Sequence, residues 1–168
     1  MKLLKINANR YRQRLNKIIF TSIATLTIGS LSISQLLILL MPSAQGSHFH
    51  WNLLGFVSTV VTLAILLSKL KKHPYFYEVS YVWDLKQTLN KINRRIITIE
   101  KASQTGDTIA MQILHFSYTG SRQLWELDNN TLTINHLTHL ENKLQNLVEK
   151  YNVILDINQY DNQQLAHY

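Results

Sequence analysis

The densest run of side chains that could do chemistry lies at residues 115–125 of the chain. If this run is helical, Tyr118, Arg122 and Trp125 share one face, because residues three and four apart are neighbours on a helix. An arginine beside aromatic rings is a favourable arrangement. A half-buried arginine also requires a carboxylate, since an unpaired buried charge is costly. We expect that partner to be one of three acidic residues: Glu78, Asp84 or Glu126.

A neighbouring face of the same run carries the small residues Ser117, Gly120 and Ser121, followed by Leu124. A glycine inside a helix costs about 1 kcal/mol relative to alanine, so its missing side chain should serve a purpose. Either another helix packs closely at this position or a ligand approaches the backbone, and we favour helix packing. The serines are poor candidates for nucleophiles, because no Gly-x-Ser-x-Gly elbow presents either hydroxyl.

The histidines form two pairs with possible metal-binding spacing. His136 and His139 are three residues apart, and His48 and His50 flank an aromatic residue. Zinc needs three or four ligands with supporting contacts, and no acidic residue or further histidine completes either pair. We expect His136 and His139 to be exposed polar positions instead. The chain also has no cysteine, which excludes disulfides, thiolate metal sites and a cysteine nucleophile.

No Walker, dinucleotide or HExxH motif is present. We therefore predict that the protein is not an enzyme and has no cofactor and no metal. A formal net charge of +7 would ordinarily suggest nucleic acid as a partner. However, residues 1–72 hold nine of the 17 Lys and Arg residues and none of the ten acidic ones. The excess positive charge therefore lies beside apolar segments, which is typical of membrane topology signals, and we expect no nucleic-acid binding.

Two uncharged runs dominate the first half of the chain, at residues 18–41 and 49–68. At about 1.5 Å per residue, both are long enough to cross a hydrocarbon core of roughly 30 Å as helices. Six basic residues precede the first run and three follow the second. Positive flanks stay in the cytoplasm, so we expect two transmembrane helices, both termini inside and the short link at residues 42–48 outside.

Two other interpretations of these runs are weaker. The first run is too long for the apolar region of a cleaved signal peptide, and a second run follows at once. Two uncharged runs with basic flanks are also unusual for buried helices of a soluble protein. The predicted location is the bacterial inner membrane, with membrane lipid as one partner. The basic stretch at residues 1–17, which contains Tyr11, could also contact anionic lipid.

One face of the first span is unusually polar for a lipid environment. Its polar residues recur at helical spacing and are Thr21, Thr25, Ser32 and Gln35. Small residues also recur four apart, Ser30 with Ser34 in the first span and Gly55 with Thr59 in the second, which favours close helix packing. We expect the polar face to pack on the second span or on another copy. A pore wall is the alternative, although no ionisable group lies inside either span except His50 at the edge of the second.

The rest of the chain predicts a cytoplasmic helical domain at residues 73–157 and a flexible tail at residues 158–168. His73-Pro74 should end the second span, because the residue before a proline resists helical conformation. We expect three helices, near residues 78–104, 108–127 and 135–157, with Gly106 and Asp107 between the first two. The candidate core of the middle helix is Ile109, Ile113, Leu114, Phe116 and Leu124.

The first and third of these helices carry matching heptad seams with apolar residues spaced 3, 4, 3, 4 and 3 apart. The seams are Val82, Leu85, Leu89, Ile92, Ile96 and Ile99, and Leu137, Leu140, Leu144, Leu147, Tyr151 and Ile154. We expect the two seams to face each other in an antiparallel bundle with coiled-coil geometry, completed by the middle helix. Alternatively, one seam is a dimer interface. The predicted class is therefore all-α, a two-helix transmembrane hairpin followed by a small helical bundle.

Several segments resemble a family of small proteobacterial membrane proteins known only as a domain of unknown function. The segments are residues 11–12, 52–55, 78–86 (EVSYVWDLK), 116–125 (FSYTGSRQLW) and 127–131 (LDNNT), and they span most of the chain. The resemblance implies a bacterial inner membrane location and a two-span layout. It implies no activity, cofactor or catalytic residue.

Three hypotheses about function follow. The first is a non-enzymatic membrane protein whose cytoplasmic helical domain mediates assembly or binds a partner, either another copy or an unidentified protein. The second is a ligand-sensing module with a pocket around Arg122, using Trp83, Asp84, Tyr118 and Trp125. The third is a small transport or channel subunit that uses the polar face of the first span.

Overall fold

The computed structural model describes residues 1–41, 47–130 and 134–168, and these residues form an all-α fold without strands. The chain divides into two compact units. Residues 13–80 form one, called here the hairpin unit, and residues 1–12 and 81–168 form the other, called the helical domain. The predicted all-α class is confirmed. The sequence did not predict that the first residues of the chain belong to the same unit as the last.

Within the described residues, the structure has six α-helices: α1 Ala8–Leu40, α2 Phe49–Leu70, α3 Tyr77–Asn93, α4 Ile96–Gln104, α5 Thr108–Leu127 and α6 Ile134–Tyr151. Short 3₁₀ helices lie at Pro74–Phe76, Ile157–Gln159 and Asn162–His167. The predicted break at His73-Pro74 is confirmed: α2 ends before it, and the His73 side chain accepts a hydrogen bond from the Tyr75 amide at 3.1 Å.

Helices α1 and α2 are long and apolar enough to cross a membrane. Only 6% of the apolar window of α1 and 11% of that of α2 are buried within the chain, whereas a core helix of a soluble protein would be mostly buried. Helix α1 begins at Ala8, so much of the basic segment predicted at residues 1–17 is helical. Of the predicted link, residues 42–46 lie outside the described part of the chain.

The contact between α1 and α2 depends on small residues. A Cβ atom at Gly55 would lie 2.8 Å from the amide nitrogen of Ser34 and 3.0 Å from the carbonyl oxygen of Ser30. The Ser34 hydroxyl donates a hydrogen bond to the Asn52 carbonyl at 3.4 Å. The predicted close approach at these small residues is confirmed. In contrast, Thr21, Thr25, Ser32 and Gln35 are exposed, so the polar face does not pack on α2.

Replacing Gly55 with leucine should lower the free energy of unfolding of the full chain in mild detergent by about 1–3 kcal/mol. The added side chain would collide with the backbone of α1 as well as with the Ser34 hydroxyl, so the two helices must separate. Thermal unfolding measures the effect. Ala64→Leu is the matched control, because Ala64 lies on the same helix and is exposed. Equal midpoints for the two variants would contradict the packing described here.

Helix α5 is the central element of the helical domain and packs along both α4 and α6. Gly106 ends the preceding turn with a φ of +93°, a left-handed conformation that favours glycine. The Asp107 carboxylate then caps α5 by accepting hydrogen bonds from the amides of Ile109 at 2.9 Å and Ala110 at 3.2 Å. Both residues perform the roles predicted for them. Of the predicted core positions of α5, only Ile109 is wrong, since it is 40% exposed.

The predicted single helix at residues 78–104 is wrong, because the structure divides it into α3 and α4. The amide of Arg95 bonds to the carbonyl of Ile92 at 2.9 Å, so the regular α-helical ladder is interrupted there. The Arg95 guanidinium also donates to the carbonyl of Leu165. Most of the seam is still buried. However, Leu85 and Leu89 of the first seam contact α5 at Gly120, and the second seam also faces α5. Both seams therefore meet α5 and not each other, in contrast to the prediction.

The end of the chain also differs from the prediction. Helix α6 ends at Tyr151 instead of near residue 157, because Asn152 adopts a φ of +51°, and Ile154 is 92% exposed. The predicted flexible tail is folded: Tyr160 stacks on Phe116 with ring centroids 4.0 Å apart. The polar composition of residues 158–168 suggested flexibility, but the buried side chains of Tyr160 and Leu165 are enough to fix the segment.

Candidate interaction site

Helix α5 carries three of the five residues that the sequence singled out, Tyr118, Arg122 and Trp125, and its neighbours decide where each side chain points. Arg122 faces α6, where its guanidinium forms a two-pronged ion pair with Glu141, and the Nε–Oε1 distance is 3.1 Å. It also donates to the Thr138 hydroxyl at 3.1 Å. The hydrogen bond and charge of Glu141 raise the pKa of Arg122 above its ordinary value. Arg122 is therefore permanently charged and engaged.

The partner of Arg122 is a correction to the sequence prediction, which proposed Glu78, Asp84 or Glu126. Glu141 lies on α6, and no local spacing connects it with Arg122. Among the described residues, no aromatic ring lies under the guanidinium as the shared face with Tyr118 and Trp125 suggested. The planar carboxylate satisfies two guanidinium donors at once, which a ring cannot do.

Replacing Arg122 with lysine should lower the free energy of unfolding by about 0.5–1 kcal/mol, because lysine cannot form the two parallel hydrogen bonds. The partners are each about 30% exposed, which limits the effect. A double-mutant cycle with Glu141→Gln measures the coupling between the two side chains in thermal unfolding. Additive effects of the two substitutions would contradict a direct pair.

Tyr118 is 7% exposed and lies next to α4, where its hydroxyl approaches the Glu100 carboxylate at 3.5 Å. Burial raises the pKa of Tyr118 above its ordinary value, and Glu100 adds to the effect. Burial also lowers the pKa of His115 on the same helix, against the opposing charges of Glu141 and Asp156. Tyr118 and His115 are therefore both neutral near pH 7.

A groove of about 470 Å³ lies between α5 and α6. Its lining includes His115, Tyr118, Thr119, Glu141 and Gln145. Arg122 is not part of that lining. The ligand-sensing hypothesis required Arg122 to stand exposed inside a pocket, and its ion pair with Glu141 weighs against that requirement.

A second groove, of about 370 Å³, lies between α3 and α5 and is bordered by Trp125. Beside it, a Cβ atom at Gly120 would lie 3.3 Å from the terminal methyls of Leu85 and Leu89. The prediction that a helix packs closely at Gly120 is thus confirmed. Because Trp125 borders this groove and Arg122 faces α6, the two do not form a common site.

Trp83 and Asp84 lie on the exposed side of α3. Trp83 is 60% exposed, which is unusual for the largest apolar side chain. The five predicted site residues therefore divide between different surfaces: Trp83 and Asp84 face solvent, while Tyr118, Arg122 and Trp125 are packed or paired within the domain. Of these, Trp83 is the side chain with most free apolar surface.

The sequence missed a set of polar contacts made by the first residues of the chain. Tyr11 is 2% exposed, and its hydroxyl donates a hydrogen bond to the Asp128 carboxylate at 3.3 Å. The same carboxylate forms an ion pair with Lys86 at 2.9 Å. Burial raises the pKa of Tyr11 to about 12, and Asp128 adds to the shift. The Leu4 amide donates to the Tyr81 hydroxyl at 2.8 Å. The placement of Tyr11 inside a basic segment gave no signal of these contacts.

The described side chains form no cluster that could hold a metal ion. Within residues 1–41, 47–130 and 134–168, no three His, Cys, Asp or Glu residues come together as a metal site requires. His136 and His139 are exposed on α6, as predicted.

The fold defines the general class: an all-α protein that joins two helices long and apolar enough to cross a membrane to a separate helical domain. A family model, described as a protein of unknown function (DUF3087), matches residues 1–165, so the chain belongs to this family. No curated protein and no solved structure matches it. The resemblance to a family of unknown function is confirmed, and its bacterial and membrane character stays a prediction.

Proposed function

We propose that this protein is a non-enzymatic integral protein of the bacterial inner membrane, with two spans and both termini in the cytoplasm. Its helical domain mediates assembly or binds a partner at the membrane surface. The observation that carries the proposal is the near absence of burial in the apolar stretches of α1 and α2. Exposed apolar helices of this length need either lipid or another protein as surroundings.

The two chain segments that make up the helical domain support this topology. Residues 1–12 and 81–168 belong to one compact unit, although both spans lie between them in the chain. Two parts of one folded unit must lie on the same side of a bilayer, which requires an even number of crossings. Lys and Arg flank the outer ends of the two uncharged runs, which supports a cytoplasmic location for that side.

The state of the polar side chains supports a binding role rather than catalysis. Arg122 is occupied by Glu141, and Tyr118 is directed at Glu100. Trp83, in contrast, offers an exposed apolar surface beside the carboxylate of Asp84. Tryptophan is enriched among the residues that dominate protein interfaces.

Topology can be tested with single cysteines, because the chain has none of its own. Ser47→Cys should react with a membrane-impermeant maleimide in intact spheroplasts. Lys72→Cys should react only after the cells are opened. The reverse pattern, or recovery of the protein in the soluble fraction after lysis, would overturn the proposal.

The binding role is tested by crosslinking in the native membrane. We expect Trp83→Ala to remove the principal crosslinked species, because the exposed indole is the largest apolar group on that surface. Gln87→Ala is the control, since Gln87 is exposed one turn further along α3. Identical crosslinking patterns for both variants would show that the surface around Trp83 does not bind the partner.

A further inference from the structure

We infer that the chain pairs with a second copy of itself through the exposed polar face of α1, with the two copies of Gln35 hydrogen-bonded to each other within the membrane. The polar face consists of Thr21, Thr25, Ser32 and Gln35. This inference rests on the proposed membrane location and adds a contact within the membrane to the one proposed for the helical domain.

The contact with α2 uses a different face of α1. Ser30 and Ser34 approach Gly55, and Gly29 approaches Thr59, whose methyl group would lie 2.9 Å from a Cβ atom at Gly29. The polar face is exposed along its whole length. Packing among the described residues therefore leaves this face without a neighbour.

Hydrocarbon is an unfavourable environment for such a face, because it supplies no hydrogen bonds. Some hydroxyls in the hairpin unit avoid the problem by donating to a carbonyl of their own helix, as Thr27 does to Ile23 at 3.0 Å. In the described part of the chain, the side chains of Thr25, Ser32 and Gln35 make no such bond. The Gln35 amide is the most costly of these, since it carries two donors and an acceptor.

The exposed side of α2 differs from this face. His50 and Asn52 are exposed in its first turn. Further along, the exposed hydroxyls of Thr62 and Ser68 each donate at 2.8 Å to a carbonyl of α2. Its other exposed side chains are mostly large and apolar, such as Leu53, Phe56 and Val61. Beyond its first turn that surface suits lipid, so α1 provides the longer polar face that requires a protein neighbour.

A second copy satisfies the polar face better than a different partner would. Every hydroxyl and amide on this face is both donor and acceptor, so the face is complementary to itself. It carries no charge that would require an opposite charge on another protein. The spacing of four and three residues is that of left-handed helix pairs, and a parallel pair of identical helices places each Gln35 at the same depth.

The test uses single cysteines in the otherwise cysteine-free full chain, oxidised in native membranes. Thr25→Cys and Ser32→Cys should form disulfide-linked dimers. Thr27→Cys is the matched control, because Thr27 is also exposed and lies only about 3 Å from Thr25 along the axis, on another face. Equal crosslinking at Thr25 and Thr27, or none at Thr25 and Ser32, would overturn the inference.

A second variant tests the role of the amide. Adding Gln35→Leu to Ser32→Cys should reduce the dimer fraction several-fold, while Gln35→Asn should retain most of it. An unchanged dimer fraction in the leucine variant would overturn the assignment to Gln35. Fractionation separates the two levels of the proposal: a chain that is integrated in the membrane but does not dimerise overturns only this inference. A chain absent from the membrane fraction overturns the proposed function as well.

Discussion

Replacing Phe116 with alanine should lower the free energy of unfolding of the helical domain by about 3–5 kcal/mol. Phe116 is fully buried in the middle of α5, and its ring stacks on that of Tyr160 with an interplanar angle of 13°. Removing the ring leaves a cavity and exposes Tyr160, whose pKa is raised to about 12 by burial. The 3₁₀ segments at the end of the chain would lose their aromatic contact with α5.

Two measurements check this result. Thermal unfolding of the full chain in mild detergent gives the loss of stability, and limited proteolysis should cut Phe116→Ala near Tyr160 under conditions that spare the unmodified chain. Ile109→Ala is the control, since Ile109 lies on the same helix but is 40% exposed. If the two variants unfold at the same temperature, the stacking of Phe116 on Tyr160 does not anchor the segment.

The second large effect concerns the hairpin unit. Replacing Glu78 with glutamine should lower its free energy of unfolding by about 3 kcal/mol, the lower end of the range for breaking a buried ion pair. The Glu78 side chain is 3% exposed and accepts a hydrogen bond from Arg14 at 2.6 Å. Arg14 also donates to the Tyr75 carbonyl at 3.2 Å and lies 5.0 Å from the centre of its ring. The effect stays at the lower end because Arg14 is 25% exposed.

A double replacement distinguishes the loss of the pair from a general intolerance of the position. Arg14→Met combined with Glu78→Met removes both charges of the pair, so neither charge is left facing an absent partner, and the double variant should be more stable than either single methionine variant. Thermal unfolding in mild detergent gives the three values. A double variant that loses the sum of the two single effects would show that Arg14 and Glu78 act independently.

Several features of the fold could be predicted because their causes are local. An uncharged run of sufficient length defines an apolar helix, and His73-Pro74 ends one. Asp107 caps α5 with its own carboxylate, and Gly106 provides the left-handed turn before it. Glycine lowers the stability of a helix, so Gly120 indicated a close contact with another helix, and Leu85 and Leu89 provide that contact.

Other features depend on contacts between distant parts of the chain, which periodicity does not reveal. The break between α3 and α4 contains neither glycine nor proline, and Arg95 there contacts Leu165. Arg122 is paired with Glu141 because α6 brings that carboxylate alongside α5. The same limit applies to the candidate site: the sequence grouped Trp83 with Arg122, and only tertiary packing separates an exposed indole from a paired guanidinium.

The two-part origin of the helical domain has a consequence for biosynthesis. Residues 1–12 leave the ribosome before both apolar helices, yet the surface that receives Tyr11, which includes Asp128, is made only after them. In the proposed topology, a chain that inserts with the wrong number of crossings separates the two parts across the bilayer, and its domain stays incomplete and open to proteolysis. In that topology, completion of the domain therefore depends on correct insertion of both helices.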